Sequence, residues 1–154
     1  MSIIVNNGMG QTSIKHSLLP DSFTVFKGKW RVISIETCDI FGIEDTKLKK
    51  LKKMSVEFEN NKLILFDNSI PIEKYYKQEV MVKDYIFANE CNIDYLKLHF
   101  LSDSVWILTA DPPTKNPNPA IDFYINGKNI LVNIDGVFFT LEKINGTSVE
   151  RNSR

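Results

Sequence analysis

The amino-acid sequence predicts a mainly β protein: an antiparallel meander closing into a small barrel of about eight strands, with one short helix after the first strand. Three observations predict it. Hairpin signals recur along the chain, β-branched and aromatic residues dominate the segments between them, and only one stretch reads well as a helix.

The first strand is expected at 30–36, where β-branched and aromatic residues concentrate from Trp30 on. The helix follows at 43–53, because Leu48, Leu51 and Met54 share one face. Asp45 or Thr46 can cap it, acids sit at its start and lysines at its end. Its lysines (Lys47, Lys49, Lys50, Lys52 and Lys53) are expected as the face left to water rather than as an anion site. A hairpin is expected at 56–66, VEFE and LILF joined by Asn60 and Asn61, since asparagine tolerates positive φ. Further strands are expected at 77–87, 95–101 and 105–110. The C-terminal third is a meander over 121–125, 129–134 and 137–141, turning at Asn126-Gly127 and Asp135-Gly136. Residues 1–22 and 146–154 are polar and lack a sustained period, and are expected as flexible segments flanking a β domain over 23–145.

The 154-residue chain is long enough to bury a core of its own, and 43% hydrophobic residues against 25% charged ones suit a folded domain. Lys plus Arg and Asp plus Glu both total 19, so no net field favours nucleic acid or an anionic bilayer. The chain shows neither a signal-peptide pattern nor an apolar run long enough to span a membrane, so the expectation is a soluble, cytoplasmic protein. It would be periplasmic if an export signal has been removed. Cys38 and Cys91 could form one bridge or remain two buried thiols; free thiols are the expected state.

Catalytic patterns are missing. The two histidines, His16 and His99, stand at no metal-ligand spacing with each other or with the cysteines. There is no Gly-x-Ser-x-Gly elbow and no glycine-rich phosphate loop, and acid pairs such as Glu57 with Glu59, or Asp122 with Glu142, have the ordinary pattern of a solvated strand face. No enzyme, no cofactor and no metal are expected. The most unusual segment is 111–119, with four prolines after Asp111. A stiff loop loses little entropy when bound, so Asp111, Pro113, Lys115 and Asn116 are candidate partner contacts, joined by tyrosines expected to be exposed: Tyr75, Tyr76 and Tyr124.

Gly28-x-Trp30 opening the first strand, then a short helix and successive hairpins, resembles the calycin group, the lipocalins and intracellular fatty-acid-binding proteins. The resemblance implies a lipocalin-like barrel whose base Gly28 and Trp30 close. Lys143 stands where lipocalins carry an arginine, and 138–144 lacks the Arg-x-Tyr carboxylate clamp of the fatty-acid carriers. The chain is also similar, from Gly28 through the segment 135–141, to bacterial lipocalin-like proteins, some of immunity type. That implies a non-enzymatic protein that binds and neutralises a cognate toxin or effector; the alternative is a carrier of a small apolar ligand. Phe58, Phe66, Phe100, Trp106, Phe123 and Phe139 are numerous enough to fill a barrel.

Overall fold

A computed structural model describes residues 2–6, 12–17, 23–38, 43–89 and 95–145. Its strands are β1 (Ser2–Asn6), β2 (Thr12–Ser17), β3 (Gly28–Thr37), β4 (Ser55–Phe58), β5 (Lys62–Leu65), β6 (Asn68–Pro71), β7 (Lys74–Met81), β8 (Ser104–Asp111), β9 (Ile121–Asn126), β10 (Asn129–Ile134) and β11 (Val137–Lys143). Among the described residues two helices accompany them, α1 (Asp45–Leu51) and α2 (Val82–Asn89), with a 3-10 turn at Tyr95–Leu98.

All the strands join one sheet in the order β1-β2-β7-β8-β9-β10-β11-β3-β4-β5-β6. The nine from β3 to β11 form an antiparallel meander that curls into a half-barrel, with α1 following its first strand. The meander closes on itself where β11 pairs with β3, and a register shift between Thr140 and Leu141 supplies the extra twist such curling needs. Between the consecutive strands β6 and β7 the ladder is interrupted. Within the segment 1–22, expected to be flexible, β1 and β2 pair antiparallel and reach β7 through His16 and Ser17. The expected tail at 146–154 lies outside the described residues.

The predicted hairpins are present, with local differences. Asp135 and Gly136 both have positive φ, 51° and 81°, as a type I′ turn requires. At the preceding turn Asn126 pairs with Asn129, so the central residues are Gly127 and Lys128; only the glycine has positive φ, 63°. Asn60 and Asn61 do link β4 to β5, without positive φ. The left-handed residues fall instead at Phe66 and Asp67, φ 50° and 72°, which turn β5 into β6. Phe66 is held there by packing on Phe139, ring centroids 4.7 Å apart.

Two expected strands are helical, one in its second half and one over most of its length. The strand expected at 77–87 ends at Met81, after which α2 begins, and the one expected at 95–101 is the 3-10 turn. The reason is that the sheet is buried on both faces. Its concave face carries one core of Trp30, Val32, Phe58, Leu63, Leu108, Phe123, Val132, Phe139 and their neighbours. Its convex face carries a second, in which Ile107, Tyr124, Leu131 and Phe138 from β8 to β11 meet Val82, Tyr85 and Ile86 of α2 and Leu98 of the 3-10 turn. An aromatic, β-branched stretch that packs over a sheet has the composition of a strand within one.

Helix α1 keeps its expected character. The five lysines are exposed, and Leu51 and Met54 pack on the concave core. Its N-cap is Glu44, without a side-chain cap hydrogen bond, in place of the expected Asp45 or Thr46. Cys38, just after β3, is disulfide-bonded rather than a free thiol. The chain's one other cysteine, Cys91, lies outside the described residues.

Gly28 enters β3 with φ +119°, a region that side-chain-bearing residues rarely adopt. Gly28→Val is therefore expected to lower stability by about 1 to 3 kcal/mol, read from the urea unfolding midpoint.

Candidate functional site

The concave face of the half-barrel is filled by its own side chains. Phe58, Phe123 and Leu63 are fully buried, and Phe58 meets Phe123 edge-on with centroids 4.8 Å apart. Trp30 sits beneath the turn that precedes β3, its indole Nε1 donating to the Phe26 carbonyl at 2.8 Å and its ring edge-on to Phe58 at 6.3 Å. Lys143 donates from Nζ to the carbonyl of Val25, 2.9 Å, and so fastens the same turn. Of the residues expected to fill the barrel, Phe58, Phe123 and Phe139 do, and Phe66 packs at its edge. Phe100 belongs to the convex core, and Trp106 is 37% exposed under the ammonium of Lys77.

A cleft of about 780 Å3 is lined by three connections and the strand ends beside them. Leu65, Asn68, Ser69 and Ile70 come from the β5–β6 hairpin, Asn133, Ile134 and Asp135 from the β10–β11 hairpin, and Asn118, Pro119 and Ala120 from the proline-rich loop. Ile121 and Asp122 of β9 and Tyr85 of α2 complete it.

Asp122 accepts two side-chain hydrogen bonds in this cleft. Thr109 of β8 donates its hydroxyl to Oδ1 at 2.6 Å, and Tyr85 donates to Oδ2 at 2.7 Å. Two donors from different elements fix the carboxylate in one orientation. At the opposite rim, Asp135 occupies the left-handed turn position and is exposed. Across that turn lies a second depression of about 480 Å3, which Cys38, Glu44 and Lys47 help to line.

The expected partner residues divide sharply. In the proline-rich loop Lys115 is exposed, and Asp111, Pro113 and Asn116 are half-buried. The loop is internally braced: Asn116 donates its N–H to the Pro113 carbonyl, 2.8 Å, and its Oδ1 accepts from the Asn118 N–H, 2.9 Å. The Asp111 carbonyl accepts from the Glu73 N–H, 2.9 Å, and Pro112 is buried beneath the loop. None of these four residues is among the cleft's described lining, to which the loop contributes Asn118 and Pro119.

The three tyrosines are not exposed. Tyr75 and Tyr76 are buried, and Tyr124 is fully buried among the rings of Tyr85, Phe100 and Phe138. They are covered because both faces of the sheet at β7 and β9 are packed. Tyr75 stacks on Phe23, centroids 4.3 Å apart, and its hydroxyl donates to the Glu59 carbonyl at 2.8 Å. Burial, with the neighbouring Glu59 carboxylate, pushes its phenol above the usual tyrosine range.

The folded protein therefore holds this proton more tightly than the unfolded chain. The stabilisation is complete below about pH 10, the unfolded phenol's range, and is lost as the pH rises beyond it. Urea midpoints of the parent are expected to fall more steeply between pH 9 and pH 11 than those of Tyr75→Phe, although the variant starts about 1 kcal/mol less stable for want of the hydroxyl hydrogen bond. Parallel curves would show that Tyr75 does not titrate in this way.

Among the described residues no group of three His, Cys, Asp or Glu side chains is placed to hold a metal ion, and no helix is long and apolar enough to cross a membrane. Neither family models nor curated proteins nor solved structures match this chain, and the fold stands as a curled antiparallel half-barrel without a family assignment.

Proposed function

We propose that this protein is a non-catalytic binding domain that docks a protein partner at the cleft between the proline-rich loop and the β5–β6 and β10–β11 hairpins. One observation carries the reading: the barrel interior is occupied by the protein's own aromatic rings, while three braced connections converge outside it on an open cleft. Stiff, pre-ordered loops around a concavity lose little entropy on association. The partner class implied by the likeness to immunity-type proteins is a toxin or effector that the bound protein neutralises. The disulfide at Cys38 favours an oxidising compartment such as the periplasm for that encounter. The alternative, a carrier of a small apolar ligand, has the lesser support, because the space such a ligand would take is filled.

Native mass spectrometry of the protein isolated gently from its source cells tests the reading. A co-purifying protein of defined stoichiometry is expected, lost when exposed rim residues are enlarged in Ser69→Arg with Pro119→Arg. An adduct of only a few hundred daltons would overturn the reading in favour of the carrier.

A further inference from the structure

The lining of the cleft is one-sided in charge. Among the described residues its ionisable groups are the carboxylates of Asp122 and Asp135 and the phenol of Tyr85; Asn68, Asn118, Asn133 and Ser69 supply the other polar side chains, and no described lysine, arginine or histidine lines it. The whole chain is balanced, 19 basic against 19 acidic residues, so this asymmetry is local.

Asp122 is half-buried, and among the described residues neither ion pair involves it. Its two hydroxyl donors occupy one acceptor site on each oxygen, and a carboxylate has about four such sites. Each oxygen thus keeps a lone pair for a further donor, with the orientation already set. Leu65, Ile70, Ile121 and Ile134 provide apolar lining beside it. An aliphatic stem with a cationic head matches both features: apolar surface for the methylenes, a carboxylate for the charge. A planar guanidinium also matches two acceptors presented side by side, which a point-like ammonium does less well.

We infer that the cleft accepts an arginine side chain of the protein partner, with Asp122 as its anchor and Asp135 adding to the attraction at the rim. The inference rests on the docking reading above and names the chemistry of the contact. Asp122 and Asp135 act together through charge, but only Asp122 is held in a fixed geometry, so its loss has the larger effect.

The probe is the peptide acetyl-Gly-Arg-Gly-amide, with acetyl-Gly-citrulline-Gly-amide as its uncharged isostere, each titrated into the 15N-labelled protein. Saturable amide shifts are expected at Ile121, Asp122, Ile134 and Asp135 with the arginine peptide. Binding should be at least about tenfold weaker for citrulline and for Asp122→Asn, and weaker by a smaller factor for Asp135→Asn. Both substitutions keep the side-chain shape, and asparagine tolerates the left-handed conformation at 135. Equal binding of the citrulline peptide, absence of saturable shifts, or an unchanged Asp122→Asn titration would each overturn the inference. A recovered partner that occupies the cleft but binds Asp122→Asn as tightly as the parent would overturn it while leaving the docking reading intact. A partner that binds elsewhere would remove that reading itself.

Discussion

Trp30→Ala is expected to cost about 3 to 5 kcal/mol, a large share of the roughly 5 to 15 kcal/mol that stabilises a domain. Trp30 is only 4% exposed and touches both the concave core and the turn before β3. Truncation removes its edge-on contact with Phe58 and leaves the Phe26 carbonyl without its donor. The surrounding strands β3 and β4 are tied into one ladder and cannot collapse far into the space. Trp30→Phe should retain much of the packing and lose chiefly the hydrogen bond, so it is expected between parent and alanine variant in guanidinium unfolding. A Trp30→Ala protein that unfolds with the parent would show that the end of the half-barrel is closed by something else.

Breaking the disulfide is expected to have the second large effect. Cys38 lies where β3 leaves the sheet, its backbone N–H donating to the Gly136 carbonyl at 2.8 Å and its side chain packed on the convex core. The bond anchors the end of β3. Removing a native disulfide from a small domain typically costs ~2 to 5 kcal/mol. Cys38→Ser is expected to lower stability by about 2 to 4 kcal/mol, and the reduced parent should match it. The convex face should then bind a hydrophobic dye more readily, since Cys38 packs against its core. A parent equally stable with and without dithiothreitol would contradict this account.

The meander was legible in the sequence because its turns are written locally. Asp135-Gly136 needs two positive φ values in succession, and few residue pairs adopt them readily. The β5–β6 turn was not legible, because Phe66 and Asp67 carry no such signature; the Phe66 ring is placed by Phe139, a contact far away in sequence. Segment 82–89 carried a helical signal that its composition masked. Val82, Tyr85 and Ile86 stand at the i, i+3, i+4 spacing of one helix face, and all three are buried against the sheet.

The cleft was the least legible part. Asp122 reads as one acid on an alternating strand, and its role depends on hydroxyls from Thr109 and Tyr85, which only the folded chain brings together. The proline-rich loop stood out by composition, yet the residues it gives to the cleft, Asn118 and Pro119, are those after its braced turn rather than Asp111, Pro113, Lys115 and Asn116. Burial of Tyr75, Tyr76 and Tyr124 follows from α2 and the concave core covering both faces of the sheet, a tertiary fact no local pattern contains.

Docking of the partner on the rim cleft, as proposed above, rather than within or beside the sheet is read by amide hydrogen exchange of the protein alone and with its co-purified partner. Slowed exchange is expected at 65–70, 118–122 and 133–136, with the strands of the filled interior unchanged. Protection confined to other surfaces, such as β7 and β8 around Lys77 and the half-exposed Trp106, would contradict it.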